Sequence, residues 1–281
     1  MSDSTISALT AKLVNQDRVF DLSHQIAVGI PVFPHHVPFS VTLNRRHADS
    51  FAEERPGDTR FSNEVMVMSA HTATHVDALG HFSRSGLLHG GVRAEDAETP
   101  NGLNQLDAAE IPPFFCRGIL LDVAGYRSVD SLAGGEAISR DELERVADAA
   151  QTEIRENDVV LIRTGWQRYW TDSERYNGSV GPDREYQGEG RGWPGIDAGA
   201  ARWLADIGVR AVGADTPVVE VIPFTGDSVH AILLVDSAIH MFENLALDQI
   251  AEQGLREFLF VAVPLPLRGA TGSPVRPLAI V

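Results

Sequence analysis

Three apolar runs of strand length alternate with two helical patterns in the second half of this chain, and this alternation most constrains its fold. The runs cover residues 117–123, 158–163 and 209–214, and the helical patterns cover 139–150 and 197–207. Strands that alternate with helices indicate an α/β domain with parallel-type strands. We therefore predict a mixed α/β fold with these three strands in one sheet.

The ends of both helices carry recognisable signals. Ser139-x-x-Glu142 matches a capping box, and Ile138 with Leu143 matches a hydrophobic staple. Asp197 is the predicted N-cap of the second helix, which Gly208 ends.

Shorter strand patterns flank this series, and irregular segments separate them. The strand patterns cover 18–21, 39–43, 63–70, 257–263 and 277–281, and the segments predicted as loops cover 22–34, 47–60 and 171–194. The 63–70 stretch alternates apolar and polar residues, which predicts a half-buried strand. No linker is evident, so we expect one domain over 1–281, with 1–16 as a lead-in and candidate oligomer arm.

Composition excludes several classes of function. A net charge of −16 argues against nucleic acid and anionic membranes as partners. No apolar run approaches the roughly 18 residues of a membrane span, and the N-terminus lacks the pattern of a secretory signal, so we expect a cytoplasmic protein. A single cysteine, Cys116, excludes an internal disulfide framework and a cysteine-based zinc cluster.

The densest cluster of chemically versatile side chains is His71, His75, Asp77 and His81, within 11 residues. Imidazole and carboxylate ligands suit zinc or manganese. In a strand these four positions share one face, whereas in a helix Asp77 would point away. A strand leading into a loop therefore brings three ligands together most easily; a set of unrelated surface histidines is the alternative.

Two further features have bland alternatives. His230 and Glu243 lie in a mostly apolar segment, where a surface histidine and a salt-bridge partner would look the same. Asp215 follows a predicted strand, where polar residues often line sites, but it would serve equally well as the cap of a turn.

These segments together resemble the putative cyclase family, which includes bacterial kynurenine formamidases and isatin hydrolases. HTATHVDALGH at 71–81 is similar to the family signature HxGTHxDxPxH. Four other blocks resemble family blocks in the same order: DLSHQIAVGIPVFP at 21–34, VVLIRTGW at 159–166, VGADTPVVE at 212–220, and the segment from His230 to Glu243-Asn244-Leu245. The tail RGATGSPVRPLAIV at 268–281 matches the closing block.

The resemblance implies a metal centre and its ligands. It assigns a first ion to His71, His75 and Asp77, and a second to His230, Glu243 and a bridging Asp77. It assigns the catalytic role to His81. Kynurenine formamidases hold two metals and isatin hydrolases one manganese, so we expect one or two ions of Mn²⁺ or Zn²⁺ per chain.

Three departures from the family pattern are visible. Ala73 replaces the usual glycine, where a methyl group would crowd a backbone that needs unusual dihedral angles. Leu79 replaces the usual proline and is expected to alter the wall beside the metals. Glu243 lies one residue further from His230 than the formamidase pattern has it.

The expected function is metal-dependent hydrolysis of a small amide or cyclic amide. Such a metal lowers the pKa of bound water to about 7. The metal-bound hydroxide would attack the carbonyl, with His81 as general acid and base. The alternatives are a lactone hydrolase or a cyclase/dehydratase on the same site, and a non-catalytic metal- or ligand-binding protein.

For the substrate pocket we single out Phe33, Trp166 and Trp193 as walls for a planar ring, with Asp215 as a polar contact. Phe82 is assigned to the core. Arg163, Arg191 and Arg268 are candidates for a substrate carboxylate, with surface salt bridges as the alternative.

The resemblance also implies the architecture and the assembly. It predicts a swivelling β/β/α domain with a mixed, barrel-like sheet flanked by helices. It further implies a homo-oligomer, a dimer or tetramer, in which 1–16 or 171–194 could complete the neighbouring subunit's pocket.

Overall fold

The computed structural model describes residues 18–49, 59–178 and 191–281. Its strands are β1 Val19–Asp21, β2 Ser40–Arg45, β3 Asn63–Val67, β4 His75–Asp77, β5 Glu98–Thr99, β6 Gly102–Leu103, β7 Phe114–Asp122, β8 Ala137–Ile138, β9 Val159–Arg163, β10 Gly195–Ile196, β11 Ala211–Ala214, β12 His240–Glu243, β13 Glu257–Ala262, β14 Gly272–Pro274 and β15 Leu278–Ile280. Its α-helices are α1 Ala94–Ala97, α2 Val123–Tyr126, α3 Arg140–Ala149, α4 Ser173–Tyr176, α5 Ala198–Ile207 and α6 Asp248–Glu252. A π-helix covers Ala231–Asp236, and 3₁₀ turns cover His89–Gly91, Ala108–Glu110 and Trp166–Tyr169.

Nine of these strands form one mixed sheet that curls into a half-barrel, in the order β1-β15-β13-β7-β9-β11-β12-β4-β14. The four central strands, β7, β9, β11 and β12, are parallel to one another, and the outer strands pair antiparallel. The mixed α/β fold and the parallel strand series are therefore confirmed.

The central sheet is buried on both faces because its apolar residues alternate between two cores. Ile119 and Leu121 of β7 belong to a core that α3 and α5 complete through Leu143 and Leu204. Leu120, between them, faces the opposite core, which holds the aromatic side chains of β12 and β13. Strands covered on both faces have near-continuous apolar sequences, as these do.

The two main helices differ in how they begin. The Asp197 carboxylate accepts a hydrogen bond from the Ala200 amide at 2.8 Å, and Gly208 ends the helix with φ at +80°, as predicted. Ser139 is the N-cap of α3, but its side chain makes no capping hydrogen bond. The predicted capping box is wrong because Glu142 instead pairs with Arg127 at 2.6 Å.

The 63–70 prediction is correct in its strand but wrong in its burial. Among the described strands β3 pairs with β2 alone, and every residue of β3 is exposed. Residues 50–58 of the predicted 47–60 loop lie outside the described residues. The whole lead-in 1–16 and residues 179–190 of the 171–194 loop also lie outside them. That loop also contains α4. Among the described segments, no helix has the length and apolarity to cross a membrane.

Candidate metal centre

The site forms where three neighbouring strands meet at one side of the sheet. β4 lies between β12 and β14, with His75 opposite Glu243 and Asp77 opposite Gly272. His75 and Asp77 are two residues apart in β4 and share a face, while Val76 points into the opposite core. The strand-parity argument therefore holds for these two residues, whereas His71 and His81 lie in the turns on either side of β4.

The five predicted ligands lie together, with the three histidines around the carboxylates of Asp77 and Glu243. One Asp77 oxygen lies 2.9 Å from His71 Nδ1 and 3.5 Å from His75 Nε2. The other lies 3.8 Å from His230 Nε2. Glu243 approaches His75 Nε2 at 3.3 Å with one oxygen and His230 Nε2 at 3.4 Å with the other. Asp77 thus faces both halves of the cluster, as a bridging ligand must.

His81 lies within the same cluster. Its ring centroid is 4.2 Å from that of His71 and 6.0 Å from that of His230. His71, Asp77 and His81 form one group whose ligand atoms could hold an ion, and His75, Asp77 and Glu243 form another. The geometry therefore places His81 close enough to act either on a substrate or as a ligand.

In both His71 and His75, the ring nitrogen that faces away from Asp77 contacts a neighbouring polar group. His71 Nε2 lies 2.9 Å from Thr271 Oγ1, and His75 Nδ1 lies 2.8 Å from the Ala73 carbonyl. A Cβ at Gly272 would come within 2.7 Å of the His71 ring, so the tail block must supply glycine there. Such outer contacts fix the ring and tautomer of metal-binding histidines.

Ala73 adopts φ of +53°, the left-handed region that disfavours residues with a Cβ. The conflict predicted from the missing glycine is real, and this conformation aims the Ala73 carbonyl at His75. Asn244 also donates to that carbonyl, at 3.0 Å, and in turn accepts from the Tyr176 hydroxyl at 2.8 Å. Leu79, the second departure, packs against the sheet–helix core and does not line the cavity, so the expectation that it alters the wall is wrong.

Electrostatics follows from burial and mutual proximity. Burial opposes a charged His230, but hydrogen bonds to Glu220 and Glu243 outweigh it and raise the His230 pKa well above its usual value. Burial likewise opposes an ionised Asp77, but the neighbouring imidazoles lower its pKa. Burial lowers the pKa of His81 to about 3, despite the opposing charge of Asp77.

The donor set fits a metal ion. Both Asp77 oxygens and His75 Nε2 are buried, and their contacts with the neighbouring ligands lack hydrogen-bond geometry within the described part of the chain. Buried polar atoms without partners are rare in folded proteins, and three of them converge here. Histidine nitrogen with carboxylate oxygen is the ligand chemistry of zinc and manganese. The fit therefore supports a metal, without deciding which.

A cavity of about 270 Å³ opens above the cluster. His71, His75, His81, His230 and Glu243 line its polar side. The rest of its wall is largely apolar and includes Phe33, Phe82, Val218 and Ile222. A cavity of roughly 150 Å³ can hold benzene, so this one has room for a substituted or fused ring.

The predicted aromatic residues separate into two groups. Phe33 lines the cavity and stacks on Trp193 with ring centroids 5.6 Å apart. Trp193 and Trp166 lie behind that wall, each donating its indole N–H to the Tyr176 carbonyl. Phe82 packs against the core, as predicted, and also lines the cavity, where it stacks on His230 with ring centroids 4.6 Å apart.

The remaining candidates lie apart from the cavity wall. Asp215 is fully buried and accepts hydrogen bonds from Thr164 and Gly165. Arg163 is paired with Asp122 and Asp248, Arg268 is paired with Asp107 and Glu110, and Arg191 is exposed. Lysine and arginine are absent from the cavity wall as far as the structure describes it.

Sequence reasoning gave no role to three buried or half-buried polar residues at this site. His36 lines the cavity, and its Nδ1 is buried without a hydrogen-bond partner in the described structure. Glu220 and Asn244 contact His230 and the Ala73 carbonyl. Glu220 ends one of the family-like blocks and Asn244 lies in another, which is the only signal the sequence offers for them.

Comparison with known proteins then decides the family. The family model for the putative cyclases matches residues 20–221, well over half of the chain. The chain belongs to the putative cyclase family. The resemblance carried by the 71–81 motif and the collinear blocks is confirmed.

Relatives and solved structures agree with this membership. A kynurenine formamidase of Geobacillus thermodenitrificans is 28% identical over 260 residues, covering 91% of this chain and 94% of that one. A crystal structure of a novel cyclase superposes with a TM-score of 0.83 at 26% identity, covering 100% of this chain and 92% of that one. Isatin hydrolase A of Labrenzia aggregata shares the fold, with a TM-score of 0.72 at 23% identity over 99% of each chain.

Proposed function

We propose that this chain is a metal-dependent hydrolase that cleaves the C–N bond of a small amide or cyclic amide. The observation that carries the proposal is the convergence of buried Asp77 and His75 atoms, whose mutual contacts lack hydrogen-bond geometry, at the floor of a ring-sized cavity. The kynurenine formamidase and isatin hydrolase relatives support the bond type.

The proposed ligands are His71, His75 and Asp77 for one ion and His230, Glu243 and the shared Asp77 for another, with Mn²⁺ or Zn²⁺ as the candidates. When bound, such an ion polarises a carbonyl group and activates water at neutral pH.

The chain's own residues orient the substrate and move its protons. Phe33 and Phe82 flank the cavity and would hold a planar ring with its carbonyl toward the metal cluster. His81 borders the same space, 4.2 Å from the His71 ring, and would take the proton from water and deliver it to the leaving nitrogen. Trp166, Trp193 and Asp215 would act from behind the wall by supporting Tyr176 and Thr164.

Location and assembly complete the proposal. We propose a cytoplasmic enzyme that acts on a small molecule and has no nucleic-acid or membrane partner, in line with its net charge of −16. We further propose a homo-oligomer, supported by the exposed apolar residues of β2 and β3.

Metal content and turnover test the function together. The full chain is stripped with a chelator, reconstituted with Mn²⁺ or Zn²⁺, and assayed against formyl-anilides, isatin-like lactams and unsaturated lactones. We expect amide or lactam hydrolysis by the loaded protein alone. Full activity of the stripped protein, or no metal uptake, would contradict the proposal, and hydrolysis confined to lactones would replace the amide substrate.

His81→Ala separates proton transfer from metal binding. General acid–base groups typically contribute 10²- to 10⁴-fold, so we expect a loss of turnover in that range. Metal content, measured by elemental mass spectrometry, should stay at the wild-type ratio per chain. A parallel loss of metal would make His81 a ligand instead.

A further inference from the structure

Residues 219 and 220 contact both side chains that are assigned to the second ion alone. The Val219 amide donates to a Glu243 oxygen at 3.1 Å. The Glu220 carboxylate meets His230 Nδ1 with one oxygen and accepts from the Val229 amide at 2.9 Å with the other. One dipeptide therefore sets the positions of Glu243 and His230.

We propose that Glu220 is a positioning residue, which holds the His230 imidazole so that its Nε2 faces the ion shared with Asp77 and Glu243. The inference rests on the proposed function, because it needs the metal that the function requires. It assigns to Glu220 a role in metal affinity that acts through the His230 ring.

The geometry of His230 supports this role. Its two ring nitrogens point in different directions: Nδ1 meets Glu220, and Nε2 faces Glu243 and Asp77 at 3.4 and 3.8 Å. A carboxylate that accepts from Nδ1–H fixes the tautomer whose Nε2 lone pair is free for a metal. Carboxylate–histidine–metal arrangements of this kind usually raise metal affinity 10- to 100-fold.

Burial leaves Glu220 few alternatives. Glu220 is only 3% exposed, so water does not compete strongly for its carboxylate oxygens. Both oxygens are already engaged by N–H groups, on the Nδ1 side of the ring, which makes Glu220 a poor candidate for a ligand.

The backbone that carries Glu220 is held on its other side by β10. The Ile196 amide donates to the Val219 carbonyl at 3.1 Å, and the Val221 amide donates to the Ile196 carbonyl at 3.2 Å. A Cβ at Gly195 would come within 2.4 Å of the Glu220 backbone, so only glycine permits this approach. The carboxylate is thus presented from a supported strand-like segment.

Glu220→Gln tests the proposal with little change in shape. The amide can accept from only one of the two N–H groups that now donate to the carboxylate, so either His230 or the Val229 amide loses its partner. Mn²⁺ and Zn²⁺ are titrated calorimetrically into the stripped full-length protein. We expect the affinity of the second ion to fall 10- to 100-fold while the first ion binds as in the wild type.

Two further variants keep this result interpretable. Glu142→Gln alters another buried glutamate, which lies on α3 and pairs with Arg127. It should leave the affinities for both metal ions unchanged. In a His230→Ala background, Glu220→Gln should have no further effect on metal binding, because the ring it positions is gone. Thermal unfolding confirms that each variant is folded.

The outcomes separate this inference from the proposed function. A wild-type chain that binds no metal contradicts the function itself. A wild type that binds only one ion, unchanged second-ion affinity in Glu220→Gln, or an equal loss at both ions, each overturns the role of Glu220 while leaving a metal-dependent hydrolase intact.

Discussion

At the scale of single residues, the buried carboxylate of Asp215 shows how burial and hydrogen bonding compete. It accepts from the Thr164 amide at 2.8 Å, the Thr164 hydroxyl at 2.6 Å and the Gly165 amide at 2.8 Å. Those contacts favour the charged form, but burial outweighs them and raises the Asp215 pKa to about 6. The folded chain therefore keeps this proton at a pH where the unfolded chain, with a pKa near 3.8, releases it.

This difference predicts a pH-dependent stability. Because the folded pKa is the higher one, the contribution of Asp215 to the free energy of unfolding falls as pH rises from about 4 to 6. We compare the wild type with Asp215→Asn by urea unfolding of the metal-free proteins at pH 4.5 and 7.5. The wild type should lose about 2 kcal/mol relative to the variant over this range.

The two proteins share every other titrating group, so subtracting their stabilities isolates Asp215. The variant should be the less stable protein at low pH, since its amide nitrogen faces the Gly165 or Thr164 N–H. A stability difference that is constant with pH would contradict the raised pKa.

The residue types at the candidate metal centre were predictable from the sequence, but the contacts between them were only partly so. His75 and Asp77 follow from strand parity, and the motif supplies His71 and His81. Glu220 and Asn244 have no signal beyond their place in family-like blocks, because their roles come from contacts with His230 and with the Ala73 carbonyl that the sequence does not show. Phe82 packs against the core, as predicted, but its sequence position does not show that it also lines the cavity.

At the scale of elements, α3 and α5 present a natural comparison of N-caps. Asp197 accepts from the Ala200 amide, whereas the Ser139 hydroxyl makes no capping bond. Each residue is the N-cap of a ten-residue helix, so the two helix ends differ in whether the cap side chain makes a hydrogen bond.

We expect Asp197→Ala to lower the free energy of unfolding by about 1 kcal/mol, because it leaves a helix-terminal amide unpaired. Ser139→Ala, the matched control, should change it by less than about 0.5 kcal/mol. Urea unfolding at fixed pH and metal content measures both. Equal losses for the two variants would mean that Ser139 caps its helix in solution.

The segment between His230 and Glu243 shows why element boundaries escape sequence reasoning. The resemblance leads us to expect one residue more here than in the formamidases, and His230 Nε2 still lies 3.4 Å from a Glu243 oxygen. The intervening Ala231–Asp236 turn is a π-helix, whose wider i→i+5 repeat accommodates an added residue. The sequence marks this segment only as mostly apolar, and hydrophobic patterning does not identify a π-helix.

At the scale of the whole molecule, the sheet order explains why blocks far apart in sequence are needed together. The chain's tail returns as β14 beside β4, where Thr271 and Gly272 flank His71. The strand series predicted the parallel centre of this sheet. It could not predict that the tail pairs with β4, because that pairing depends on contacts across nearly 200 residues.

The exposed hairpin of β2 and β3 was also beyond sequence reasoning, since alternation predicts a buried face without saying what covers it. Val41, Leu43, Val65, Met66 and Val67 are each between 43% and 59% exposed. They lie on both faces of a two-stranded ribbon, and such a ribbon is marginally stable alone. Exposed apolar patches of this kind mark interaction surfaces, which supports a second copy of the chain as the partner.

We therefore expect the wild type to sediment as a dimer or larger species, above the 30.5 kDa of one chain. Val41→Glu combined with Met66→Glu places two charges on a cross-strand pair of the ribbon and should shift the protein toward monomer. Val129→Glu changes an equally exposed valine elsewhere and should leave the assembly unchanged. Because the ribbon contains none of the proposed metal ligands, both variants should keep the wild-type metal content per chain. A wild type that sediments as a monomer at micromolar concentration would contradict the proposed assembly. The proposed hydrolase activity is tested separately, by the metal content and turnover of the single chain.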